Sequence, residues 1–144
     1  MNDPFADNLR RMTRRWLGAL LLLLACMAQI DPRTALLERG GFEALAQGQG
    51  RAAAEAFREA LSADPRNARL HLGAGMAASL ERRDSDAKTE FELALALNPA
   101  LVEARALLGQ VLYRMGDPVG AIREYERVVA DAPDDRGARA TLAR

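Results

Sequence analysis

The chain has 144 residues, with 20 Lys plus Arg against 20 Asp plus Glu, and so carries no formal net charge. That balance excludes a nucleic-acid binder of the electrostatic kind, which needs a clustered basic excess. One cysteine and one histidine exclude an internal disulfide and a structural zinc site. Apolar residues make up 49% and aromatic residues 5%, a mixture dominated by alanine and leucine that favours helix.

Residues 16–30, WLGALLLLLACMAQI, contain no charge. A spanning helix needs roughly 20 apolar residues, so the run is short for a stable span. It has the length of the apolar region of a secretory signal, and Arg10, Arg11, Arg14 and Arg15 stand just before it. Arginines on one side and Asp31 on the other predict a cytoplasmic N-terminus and export of the remainder. With Leu20 to Leu24 consecutive, the segment is predicted as a helix apolar all round. Leu23-Leu24-Ala25-Cys26 resembles the lipobox of bacterial lipoproteins. That resemblance implies cleavage behind Ala25 and lipidation of Cys26; a start at Met12 would give the leader a more typical shape. Cleavage after Ala28 and an uncleaved anchor are the other two readings of residues 1–30. The expected location is membrane-associated and periplasmic, on the exported side of a bacterial inner membrane or, as a lipoprotein, at the outer membrane.

Beyond the leader the sequence repeats. Pro65, Pro99 and Pro133 are 34 residues apart, and so are Gly41, Gly75 and Gly109, Ala53, Ala87 and Ala121, and Phe57, Phe91 and Tyr125. One register held by several residue classes over three units marks a repeat array. The spacing predicts helices over 34–47 and 51–64, 68–81 and 85–97, and 102–115 and 119–131, with a partial capping helix over 135–144. Gly48-Gln49-Gly50 and Gly116-Asp117-Pro118 read as the turns inside the outer units, and Arg82 to Ser85 takes that place without a glycine. The prolines stop the second helix of each unit, and Asp64, Asn98 and Asp134 cap or turn the chain there. The glycines are expected where paired helices approach closely, with the alanines as their small partners and the aromatics filling the wedge between units.

In phrases such as EAFREALSADP, TEFELALALNP and REYERVVADAP the chain resembles the tetratricopeptide repeat family over about residues 34–144. The resemblance implies an all-α solenoid of three helix-turn-helix repeats (about 34–67, 68–101 and 102–135) within a domain spanning 31–144. It further implies a groove lined by the first helices that takes a peptide or a partner helix. Carried onto this sequence, the groove positions are Glu38, Phe42, Leu45, Arg69, Leu72, Met76, Leu80, Glu103, Leu107, Gln110, Tyr113 and Arg114. The alternative for Leu72, Leu80 and Leu107 is plain core. The cationic clamp that some members use for acidic chaperone tails is missing, since its positions hold Glu38, Phe42, Gly73, Glu103 and Leu107.

Enzyme chemistry finds no foothold. His71 falls where the family places a packing residue, and Gly48-Gln49-Gly50 lacks the Lys-Ser/Thr and the strand of a phosphate loop. The expectation is therefore a non-catalytic protein-interaction scaffold with no cofactor and no metal, engaged in assembling an envelope complex such as a pilus, secretion or outer-membrane machine. Two alternatives are the N-terminal repeat region of a larger membrane protein or enzyme continuing past Arg144, and a structural protein that self-associates end to end.

Overall fold

The computed structural model describes residues 32–131. Among these residues the regular elements are six α-helices and no strand: α1 (Pro32–Ala46), α2 (Gly50–Ala63), α3 (Ala68–Leu80), α4 (Asp84–Leu97), α5 (Val102–Arg114) and α6 (Pro118–Asp131). Three antiparallel pairs result, α1 with α2, α3 with α4 and α5 with α6; Gly41 and Phe42 of α1 meet Phe57 of α2, and from α2 onward each helix packs on the next. The expected segments 1–30 and 135–144, and with them Cys26, lie outside the described residues.

Turn chemistry sets the helix ends. Gly48 and Gly116 adopt positive φ (72° and 84°) between the helices of the first and third units. Arg82 holds the matching position of the second unit at φ 61°, a left-handed conformation that a side chain disfavours. At the start of α3 the Asn67 Oδ1 accepts the Arg69 N–H at 3.1 Å, while its own amide donates to Asp64 at 3.0 Å. Asp117 Oδ1 accepts the Gly120 N–H at 2.8 Å, capping α6 where Pro118 supplies the first helical residue. Asp64 and Asn98 end α2 and α4 as expected.

The core consists of small residues around one ring per unit. Ala53, Phe57, Ala60, Leu70 and Ala77 close the first seam, and Ala87, Phe91, Ala94, Ala104, Leu108 and Val111 belong to the second. The glycines meet the aromatic rings rather than the alanines. A Cβ on Gly41 would lie 2.7 Å from Phe57, one on Gly75 2.6 Å from Phe91, and one on Gly109 3.0 Å from Tyr125. Each ring of a second helix thus lies on bare backbone of its own unit's first helix. Phe57 is also covered by Gly73 of the following unit, whose Cβ would overlap the ring. Fully burying each phenylalanine stabilises by about 1.5–3 kcal/mol. Burial pushes the Tyr125 phenol above its ordinary pKa.

A polar bracket recurs in the same register. His71 Nδ1 lies 2.8 Å from Glu90 Oε2, and its Nε2 lies 3.0 Å from the Pro65 carbonyl oxygen. One cycle on, Arg105 donates to Glu124 at 3.3 Å and to the Pro99 carbonyl at 2.7 Å. In both units a nitrogenous side chain of the first helix ties the proline turn behind it to a carboxylate on the second helix.

Candidate functional site: the face of the first helices

Helices α1, α3 and α5 bring the positions singled out in the sequence onto neighbouring first helices, but with different fates. Phe42 is half-buried, its ring set edge-on to Phe57 with centroids 5.0 Å apart and planes at 75°. Arg69 is exposed; its guanidinium lies 5.4 Å from the Phe42 ring centroid and its Nε donates to Glu38 at 2.8 Å. Stacking and pairing hold this arginine flat on the surface and neutralise its charge locally. With Ala35, Arg39, Glu43 and Ala46, these groups line an open cleft of about 520 Å³ between α1 and α3. Arg39 is occupied too, donating to Glu43 at 3.1 Å across one helical turn. The cleft has an apolar floor of alanine and phenylalanine methyl and ring carbons, and paired charges at its rim.

Further along, Met76 and Leu107 are half-buried and pack against the second core cluster. Leu80 is 45% exposed, and Glu103 and Gln110 face solvent. Tyr113 is exposed at the end of α5. Leu45 packs against the first core cluster.

Two assignments are corrected. Leu72 is only 2% exposed and belongs to the core, because its place on α3 turns it toward the seam with α5. Arg114 is not an open groove residue: its Nη2 donates to Ser79 Oγ at 2.7 Å and its guanidinium pairs with Asp84, clipping the third unit to the second. Its hydrogen bond to Asp84 holds that carboxyl below the usual carboxylate range against the opposing effect of burial. Repeat spacing places a residue on a helix face; it does not reveal that a long side chain folds back to a serine and an aspartate 35 and 30 residues earlier. The His71 and Arg105 brackets were legible in principle, since Pro65 and Pro99, His71 and Arg105, and Glu90 and Glu124 all keep the 34-residue register.

No group of three or more His, Cys, Asp or Glu side chains placed to hold a metal occurs among the described residues. Within those residues no helix is long and apolar enough to cross a membrane. What this face offers is a contact surface: apolar side chains from all three first helices, with the Arg69–Glu38 and Arg39–Glu43 pairs beside Phe42.

Two family models, both described as tetratricopeptide repeat, match residues 41–100 and 85–144. Solved structures agree with the fold. The first TPR of Spaghetti (RPAP3) bound to the HSP90 peptide SRMEEVD is 24% identical, with a TM-score of 0.75 over 80% of this chain and 92% of that one. The second TPR domain of human RPAP3, in complex with the HSP70 peptide SGPTIEEVD, is 23% identical, with a TM-score of 0.71 over 76% and 92%. MamA is 21% identical, with a TM-score of 0.74 over 99% of this chain and 82% of that one. No curated protein matches the chain.

Proposed function

The chain belongs to the tetratricopeptide repeat family, and from that premise we propose that the face of α1, α3 and α5 holds a segment of another protein without making or breaking a bond. The observation that carries this reading is the run of half-buried and exposed apolar groups across that face. Phe42, Met76, Leu80 and Leu107 come from three stacked first helices, so an extended or helical ligand could set successive anchors on them. The peptides held by the two RPAP3 neighbours both end in EEVD. Here an acidic tail is disfavoured, because Glu38 and Glu103 lie on the face and Arg69 is already paired with Glu38. The ligand class proposed is therefore an amphipathic segment anchored by aliphatic side chains.

The setting proposed is a bacterial envelope complex, with the protein membrane-associated and periplasmic, tethered through residues 1–30 by lipid on Cys26 or by a retained anchor. Support comes from the arginines before the uncharged run and from the lipobox-like Leu23-Leu24-Ala25-Cys26. The test is affinity capture from membranes with the wild type and a Leu80→Glu variant, combined with mass analysis of the N-terminal peptide. Leu80→Glu should fold normally and lose partners that the wild type retains. Recovery of the same partners would place the working surface elsewhere, and an unmodified Cys26 in a retained leader would remove the lipid tether.

A further inference from the structure

Behind the first-helix face, α2 and α4 stand apart over α3 and leave a recess of about 680 Å³. Ala54 forms part of one wall and Ala74 and Ala78 form the floor, with Arg51, Glu55 and Arg58 along the α2 rim and Glu81, Arg83, Asp86 and Glu90 along the facing rim. One cycle later the 34-residue register puts Lys88, Leu108 and Leu112 at the positions of these three alanines. Leu108 is buried and Leu112 packs against the core, so the second seam is filled where the first is hollow. The recess is therefore written into this chain's own sequence at one seam and is not a product of the repeat geometry alone.

The matching protrusion is on α6. Two cycles on from Arg51, Ala54, Glu55 and Arg58 stand Val119, Ile122, Arg123 and Glu126. Val119 is 66% exposed and Ile122 49% exposed on α6. Arg123 and Glu126 are exposed as well, and among the described residues neither they nor Arg51, Glu55 and Arg58 have an ion-pair partner.

We propose that the recess between α2 and α4 receives the Val119 and Ile122 edge of α6 from a second copy of this chain, giving head-to-tail self-association. Charge order supports that occupant. Glu55 lies between Arg51 and Arg58 on α2, so Arg123 of the second copy can meet Glu55 while Glu126 meets an arginine whichever way the helix runs. The spacings agree: three residues separate Arg123 from Glu126 and Glu55 from Arg58, about 4.5 Å along each helix at a rise of about 1.5 Å per residue. Recess and edge are different surfaces of one molecule, so the contact is heterologous and leaves the pair with one free recess on one copy and one free edge on the other. It does not involve Phe42, Leu80 or Gln110, and so stands apart from the partner-binding reading.

The test uses the full chain in mild detergent, in differently tagged versions that are mixed, captured and quantified. Ala74→Leu fills the recess with the residue type that Leu108 supplies at the next seam, and Ile122→Glu spoils the edge at an exposed position. Wild type should capture wild type, and each variant should fail with itself. The mixed pair keeps one intact recess and one intact edge, and should recover capture at least about tenfold above either self-pair. Loss should be steeper at high salt, since the rim pairs are screened. As a second variant that leaves packing untouched, Glu55→Arg should abolish self-capture and regain it against Arg123→Glu. A wild type that remains monomeric overturns the proposal and leaves the recess to a different occupant. Variants that self-associate at wild-type level, or mixed pairs no better than self-pairs, overturn it in favour of association through another part of the chain.

Discussion

Gly40 and Gly41 are adjacent in α1, yet the same substitution should act on them with opposite sign. At Gly40 an added Cβ would meet nothing within 4 Å, so alanine gains helix propensity and restricts the unfolded chain, a stabilisation of about 0.4–1 kcal/mol. At Gly41 the Cβ would lie 2.7 Å from Phe57 Cζ and 2.9 Å from both Cε atoms. Carbon pairs prefer about 3.5–4.0 Å, so the ring must retreat by roughly 1 Å. It has nowhere to go: Phe57 is fully buried, Gly73 lies against it, and the Phe42 ring packs edge-on at 5.0 Å. Overpacking of this kind costs about 1–3 kcal/mol, which leaves a net loss of up to about 2.5 kcal/mol after the propensity gain. Thermal and urea unfolding followed by circular dichroism at 222 nm would resolve the two variants, since about 1 kcal/mol moves Tm by roughly 4–8 °C in a domain of this size. Gly41→Ala should melt below the wild type and Gly40→Ala above it. Shifts of the same sign would refute the ring-on-glycine packing.

Other outcomes follow from the same geometry. Arg82→Gly should raise stability by about 0.5–1 kcal/mol in urea titrations, because Arg82 occupies at φ 61° the position that Gly48 and Gly116 hold in the other units. Replacing His71 by Leu should cost about 0.5–1.5 kcal/mol by removing its bonds to Glu90 and the Pro65 carbonyl, whereas His71→Arg should remain close to wild type, as Arg105 makes the equivalent pair of bonds. Ala121→Glu should cost several kcal/mol, on the order of 3, by forcing a charge into a buried seam. Asp84 has a depressed carboxyl pKa in the folded chain, so its contribution is complete above the ordinary value of 3.8 and fades as pH falls through the lower folded value. Acid titration of Asp84→Asn should therefore lack the part of the stability loss that sets in below about pH 4 in the wild type.

The repeat was legible because its signals are local and periodic. Prolines, glycines and aromatics in one register located all six helices of the described residues, and the observed bounds differ from the expected ones by at most two residues, at the start of α1. The middle turn was legible even without glycine, since Arg82 keeps the place of Gly48 and Gly116. The binding face was legible only in part. Leu72 and Leu80 are both leucines on α3, eight residues apart, yet one is sealed into the seam and the other lies open at the helix end. That difference depends on how α5 packs over α3, which composition does not encode. Arg114 read as a surface cation because its partners Ser79 and Asp84 belong to the preceding unit. The alanine recess is invisible along the chain and emerges only when Ala54, Ala74 and Ala78 are set side by side and compared with Lys88, Leu108 and Leu112.

Site-specific photocrosslinking in cells tests most directly whether the first helices form the working face. A photoreactive residue at Leu80 or Gln110, both exposed on first helices, should yield discrete adducts with another protein, and one at Leu93, 43% exposed on α4, should not. Adducts at Leu93 with none at Leu80 or Gln110 would contradict the account.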